Sequence, residues 1–230
     1  MIVDRSLSRK SVTLAAQRQS EAKHPLVIIV DDDAAVREAL SELMQSAGFA
    51  AVSFSSTQAL LATNALEQPG CLILDVRMPG SSGLDLQRHL RSSGNPKPII
   101  FLTGHGDIPM TVQAMKAGAV DFLTKPVRDQ TLLDAVNTAI GLDKERRAEA
   151  AKIKGYVERM LTLTPREREV MHEVARGRLN KQIAFDLGIS EVTVKLHRGN
   201  LMRKMEVASI GELIRAWEAL PVGMREARAA

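Results

Sequence analysis

Residues 26–30, Leu-Val-Ile-Ile-Val, are five consecutive apolar β-formers that follow Pro25 and stop at Asp31-Asp32-Asp33. A continuous apolar run of that length marks a strand buried on both faces. The period then changes. Val36, Leu40, Leu43 and Met44 recur at helical spacing, with Gly48 as the stop. The same alternation repeats four times. Residues 51–53 predict a short strand, and Ser56 caps a helix expected to run through Leu66. Residues 71–74 predict a strand ending at Asp75, and residues 83–90 a helix. Residues 98–102 predict a strand ending at Thr103, and residues 109–117 a helix with Pro109 in its first turn. Residues 120–123 predict a strand that ends before Lys125-Pro126, and residues 130–140 a fifth helix.

Five strands alternating with five helices predict an α/β doubly wound five-stranded parallel sheet. Such sheets bind ligands at the carboxyl ends of their strands, near a topological switch point. The polar residues fall there. Asp31, Asp32 and Asp33 follow the first strand, Asp75 the third, Thr103 the fourth and Lys125 the fifth.

The pattern changes again after Gly141. Residues 142–160 are charged and rich in helix formers, and predict a helical linker weakened by Gly141 and Gly155. Thr164-Pro165-Arg166-Glu167 then supplies a cap, a first-turn proline and a third-position glutamate, a strong helix start. Val170, Val174 and Ala175 give that helix an apolar face, and Gly177 stops it. A short helix over residues 180–187, the turn Gly188-Ile189-Ser190 and a helix over residues 191–204 form an all-α helix-turn-helix domain. Residues 210–217 predict a fourth helix. The expected organisation is a polar arm over 1–24 (with a short helix over 14–21), a domain over 25–141, a linker over 142–160, a second domain over 161–220 and a tail over 221–230.

Charge sharpens this division. The 230 residues carry a net +4, distributed as +3 over residues 1–24, −4 over 25–141 and +5 over 142–230. An acidic middle and a basic end point to different partners. No apolar run reaches the 18 or so residues of a membrane span, and no secretory signal is evident, so a cytoplasmic protein is expected. The single cysteine, Cys71, excludes an intrachain disulfide framework and cysteine-based zinc fingers. With aromatic residues at 3%, a base-stacking platform for single strands is not expected.

Aspartates at two strand ends, with a lysine and a threonine at two others, form a set suited to phosphoryl chemistry. Carboxylates suit Mg²⁺, a carboxylate can act as nucleophile and form an acyl phosphate, and the metal and an ammonium neutralise the transferring group. Each residue alone has an ordinary use: Asp33 as a helix cap, Lys125 as a solvated surface group, Thr103-Gly104 as a turn.

Residues 25–141 resemble a response-regulator receiver domain through VDDD at 30–33, LDVRMPGSSGLDL at 74–86, FLTGHGD at 101–107 and AMKAGAVDFLTKP at 114–126. The resemblance implies Asp75 as phosphoacceptor. It implies a Mg²⁺ site of Asp31, Asp32, Asp75 and the backbone carbonyl of Arg77, with Asp32 the better candidate for direct coordination. Thr103 and Lys125 would meet the phosphoryl group, and Lys125-Pro126 resembles the family's cis peptide. Thr103 and Phe122 would form the switch, with Val112, Met115, Lys116 and Ala119 in or near a face used for dimerisation on phosphorylation.

Residues 161–217 resemble the LuxR-type output domain through LTPREREV at 163–170, NKQIAFDLGIS at 180–190 and VTVKLHRGNLMRKM at 192–205. Together the two parts resemble the FixJ/NarL family of response regulators. The resemblance implies a sensor histidine kinase and double-stranded DNA as partners, with the second helix of the motif in the major groove. Lys195 could reach a guanine edge or a phosphate and Leu196 a thymine methyl, with Thr193 on the same helix. Asn180, Lys181, Arg198, Arg203 and Lys204 are candidate phosphate contacts. Gly199 stands where related helices often place a longer side chain; close approach to DNA and neutral drift both account for it. Val194, Leu201 and Met205 form the inward stripe, His197 is expected to pack beside it, and Trp217 reads as a packing residue.

Two other readings compete. An aspartyl-phosphate phosphatase usually carries an Asp-x-Asp nucleophile motif on the first strand and a substrate cap; here the best nucleophile follows the third strand, no cap insertion exists, and the second domain has no catalytic cluster. A phosphorylation-independent regulator would use the receiver only as a dimerisation scaffold.

Overall fold

The computed structural model describes residues 24–104 and 106–226. The expected arm and its helix over 14–21 lie outside the described residues, apart from His24. The chain forms two units, one through Arg146 and one from Arg147.

In the first unit, β1 (Leu26–Val30), β2 (Ala50–Phe54), β3 (Gly70–Leu74), β4 (Ile99–Thr103) and β5 (Asp121–Thr124) form one parallel sheet in the order β2-β1-β3-β4-β5. The helices are α1 (Ala34–Ser46), α2 (Thr57–Leu61), α3 (Gly83–Ser92) and α4 (Ile108–Lys116), followed by α5 (Asp129–Leu161). β1, β3 and β4 are buried along almost their whole length, which is why they read as unbroken apolar runs. Val27, Ile29, Cys71, Ile73, Ile100 and Leu102 serve one core layer, and Ile28, Val30, Leu72, Leu74 and Phe101 the other. The chain leaves β1 for β2 on one side and β3 on the other, so the switch point lies at the carboxyl ends of β1 and β3.

The helix expected to reach Leu66 ends at Leu61, and a 3₁₀ turn follows at Ala65–Glu67. Thr63 explains the break. Its hydroxyl donates to the Leu60 carbonyl at 2.8 Å and accepts from the Ala65 amide at 3.3 Å, competing with the helical ladder.

The fifth helix and the linker are one helix, continuous through Gly141 and Gly155. Mid-helix glycine costs about 1 kcal/mol relative to alanine. Burial offsets that cost: Leu132, Val136 and Ala139 pack in the first unit's core, and Met160, Val157 and Tyr156 in the second's. Asp143, 2% exposed, accepts from the Gly70 amide at 2.8 Å, and Arg146 donates to the Pro96 carbonyl at 2.8 Å.

The second unit contains α6 (Pro165–Ala175), α7 (Asn180–Leu187), α8 (Glu191–Met205), α9 (Ile210–Ala219) and α10 (Val222–Glu226). Thr164 and Glu167 complete the expected capping box. Gly188, at φ +64°, closes α7, and Ser190 caps α8 through the Thr193 amide, which makes the helix-turn-helix. The short helix α10 falls in the segment expected to be a plain tail.

Candidate functional site

β1 ends at Val30, so Asp31 and Asp32 emerge at the carboxyl edge of the sheet. β3 ends one strand away, and the Asp75 amide donates to the Val30 carbonyl at 2.9 Å. This brings Asp75 beside the first pair although 43 residues separate it from Asp32 in sequence. Carboxylate oxygens of Asp31, Asp32 and Asp75 all lie within 4.8 Å of one another. Asp31 is 2% exposed and Asp75 8%, while Asp32 is open to solvent.

The three neighbouring aspartates differ in use. Asp31 Oδ1 accepts from the Asp33 amide at 2.9 Å, and the Asp31 carbonyl accepts from Arg37 at 2.8 Å, so this residue is held from both ends. Asp33 caps α1, accepting from the Ala35 amide at 2.8 Å. Asp32 is left facing the site.

The Lys125 amide donates to the Thr103 carbonyl at 2.8 Å, which holds the end of β5 against that of β4. The Lys125-Pro126 peptide is cis. The Lys125 ammonium lies 2.5 Å from Asp31 Oδ2 and 3.0 Å from Asp75 Oδ2. Burial pulls its pKa down, but the hydrogen bonds and charges of Asp31 and Asp75 outweigh burial and raise it above its ordinary value. The Arg77 amide donates to Asp75 Oδ1 at 3.2 Å. Thr103 is 1% exposed. Gly83 completes the floor, because a Cβ there would sit 2.3 Å from the Asp75 carbonyl oxygen.

Phe122 is half-buried, with its ring 5.8 Å from that of Phe101. Gly106 packs against it, where a Cβ would lie 2.9 Å from the ring. On the nearby face Val112, Met115 and Lys116 are exposed. Ala119 is a correction: it is 8% exposed and belongs to the core cluster. Cys71 is buried, and burial pushes its thiol up to about 12, which makes it a poor nucleophile at neutral pH.

In the second unit, Val194, Leu201 and Met205 of α8 are fully buried, as the inward stripe requires. Lys195, Leu196, Gly199 and Arg203 are exposed along the helix. His197 is half-buried. Lys181 is exposed on α7, while Arg198 donates to Asn180 at 2.5 Å and ties α8 to α7. The Thr193 hydroxyl bonds that of Ser190 at 2.8 Å. Lys204, a candidate phosphate contact, is already paired within the unit. Its ammonium is 2.7 Å from Glu167, whose side chain is 5% exposed, and 3.3 Å from the Thr162 carbonyl. Burial raises the Glu167 carboxyl's pKa, but the Lys204 and Thr164 hydrogen bonds prevail and hold it below the usual value.

Sequence reasoning did not find Gly106, Asp143 or the Glu167–Lys204 pair. Glu167 was visible as part of a capping box, but its cation comes from 37 residues away and leaves no local signal.

The description "Response regulator receiver domain" matches residues 27–137, and "Bacterial regulatory proteins, luxR family" matches residues 161–217. The chain is 50% identical over 203 residues to the response regulator protein TodT of Pseudomonas putida, covering 88% of this chain and 89% of that protein. It is 43% identical to the transcriptional regulatory protein FixJ of Azorhizobium caulinodans, covering 82% and 90%. The solved structure of the response regulator StyR aligns with a TM-score of 0.75 at 48% identity, covering 85% of this chain and 98% of that one. With an acidic pocket at the switch point of a parallel sheet and a helix-turn-helix later in the sequence, the chain belongs to the response regulators that join a receiver domain to a LuxR-type DNA-binding domain.

Proposed function

We propose that Asp75 is the phosphoacceptor of this regulator, and that its phosphorylation changes the receiver surface and dimer state and thereby controls DNA binding. The supporting observation is the Lys125 ammonium shared between Asp31 and Asp75 beside an open Asp32. In the reaction, a carboxylate oxygen of Asp75 forms a bond to phosphorus as the bond from phosphorus to a kinase histidine nitrogen breaks. The nitrogen keeps the electron pair and takes a proton from water. Lys125 is placed to hold a phosphoryl oxygen once that group arrives.

The donor set fits Mg²⁺, a hard cation that takes one or two carboxylates and keeps several waters. Asp32, Asp31 and Asp75 would hold it, with the Arg77 carbonyl. When bound it neutralises negative charge on the phosphoryl oxygens. Thr103 turns its hydroxyl to the new group, and Phe122 moves inward. The protein is not a turnover enzyme in this reading; phosphorylation and hydrolysis occur on its own side chain.

Residues 25–141 act as the receiver, 142–160 as the linker and 161–220 as the DNA-binding domain. Lys195 meets a guanine edge or a phosphate and Leu196 a thymine methyl, with Thr193 at the start of their helix. Lys181, Arg198 and Arg203 meet phosphates, and Asn180 positions Arg198. Val112, Met115 and Lys116 contribute to a homodimer face on phosphorylation. The partners are a sensor histidine kinase and double-stranded DNA, in the cytoplasm; no helix among the described residues is long and apolar enough to cross a membrane.

The test is intact-protein mass after incubation with Mg²⁺ and acetyl phosphate, beside Asp75→Asn, with light scattering on both. One added phosphoryl on the wild type alone, with a shift to dimer, is the expected result. No adduct on either would favour a phosphorylation-independent scaffold.

A further inference from the structure

The second unit contains a concavity that the DNA-binding reading does not use. A cavity of about 450 Å³ opens between α6, α7, α9 and α10, with the end of α5 at its edge. That volume falls within the range of about 300–1,000 Å³ common to small-molecule sites. Met160, Leu187 and Trp217 give it apolar walls. His172 stands edge-on to the indole, with ring centroids 5.7 Å apart and planes at 79°.

The charges are unevenly matched. Three acids line the cavity, and each already faces an arginine. Glu169 pairs with Arg166 at 2.5 Å, Glu173 with Arg176 at 3.6 Å, and Asp186 with Arg178 at 3.9 Å. Two further arginines reach the same space. Arg168 donates to the Leu163 carbonyl at 3.2 Å and the Leu161 carbonyl at 3.4 Å, and it meets no carboxylate among the described residues. Arg225, on α10, is half-buried and lines the cavity, and its Nε, itself buried, has no hydrogen-bond partner among the described residues. Buried donors without an acceptor are rare and call for an explanation. Here one lies on a planar cation in a cavity that already has excess positive charge and an indole wall.

We propose that this cavity binds a small aromatic carboxylate, its carboxylate on the Arg225 guanidinium and its ring against Trp217. The terminal Nη groups of a guanidinium present parallel donors that match a carboxylate. The indole and the Met160 and Leu187 side chains favour a flat apolar body over a hydrated inorganic anion. The proposal rests on the output unit alone and is independent of phosphorylation at Asp75.

Trp217 is the only tryptophan in the chain, so its fluorescence reports on this cavity directly. Full-length protein is titrated with benzoate, with benzyl alcohol as the uncharged ring and acetate as the charge without a ring. The expected result is a saturable benzoate response, with both controls weaker by about tenfold or more. Arg225→Gln should weaken benzoate by about tenfold or more and Arg225→Lys by less. Unchanged melting temperatures of the two unliganded variants would show that the fold is intact. Absence of a saturable benzoate response in the millimolar range would overturn the proposal. So would equal benzoate affinity in wild type and Arg225→Gln, or acetate binding as tightly as benzoate.

Discussion

Lys125 donates from its ammonium to Asp75 Oδ2 at 3.0 Å, across the ends of two different strands. The same nitrogen serves Asp31, so one cation holds two carboxylates that would otherwise repel. Its pKa is raised in the folded protein, from an ordinary value of 10.5. A raised lysine contributes stability that is fully present below the unfolded-state pKa and is lost as pH rises through the folded one. The wild type should therefore lose stability over Lys125→Met at alkaline pH, from about 10.5 upward, and the two urea midpoints should converge there. Near neutral pH, Lys125→Met should bind Mg²⁺ about tenfold or more tightly, because a positive charge within a few ångströms of the site is gone. Calorimetric titration with Mg²⁺ checks this; equal or weaker affinity would separate Lys125 from the metal site.

Asp32 and Asp33 are adjacent, yet their surroundings assign them different work. Asp33 caps α1, and Asp32 faces the other carboxylates. Asp33→Ala should cost about 1 kcal/mol of receiver stability, the usual loss for a cap, with Mg²⁺ affinity retained. Asp32→Asn should leave the melting temperature near that of wild type and weaken Mg²⁺ strongly. Paired thermal melts and Mg²⁺ titrations read both effects, and the reverse assignment would show as exchanged phenotypes.

Gly106 leaves room for the edge of the Phe122 ring. A methyl group there would sit 2.9 Å from the ring edge, so the ring or the loop must shift. Gly106→Ala should displace Phe122 from its half-buried position and bias the receiver toward the arrangement in which the ring is turned inward. The expected outcome is increased dimerisation without phosphodonor, read by light scattering on the full chain. A variant that stays as monomeric as wild type, with unchanged stability, would remove Phe122 from the switch.

The strand ends were legible because a doubly wound sheet puts its polar residues where buried runs stop. Leu26–Val30, Gly70–Leu74 and Ile99–Thr103 each end at or just before a residue of the pocket. The motif around Asp75 and Lys125 was equally plain. What could not be read were the long-range choices. Nothing local indicates that Lys204 turns inward to Glu167, because both exposed and inward lysines look alike on a helix with a weak apolar stripe. Thr63 ends a helix through its own hydroxyl, a competition that spacing does not show. Asp143 looked like one more charge in a polar linker, but it anchors α5 to the Gly70 amide at 73 residues' separation. Gly141 and Gly155 weaken the helical linker by propensity, and burial on either side of them offsets that.

Gly199 gives a last prediction in which stability and function should move in opposite directions. It lies in the middle of α8, exposed, and a Cβ there would meet nothing within 4 Å. The chain's own packing therefore does not require glycine. Gly199→Ala should stabilise the output unit by about 0.5–1 kcal/mol, since alanine loses less backbone entropy in a helix. If α8 lies close in the major groove, the added methyl meets the DNA and affinity falls. Lys195→Ala on the same helix gives the comparison: it should weaken binding and, for a phosphate contact, reduce the salt slope by about one. Gly199→Ala should weaken binding with the slope unchanged, because no charge is lost. Denaturant melts and DNA titrations at several salt concentrations measure both quantities. A Gly199→Ala protein that is more stable and binds DNA as wild type does would mean that the glycine is a neutral substitution rather than a place of close approach.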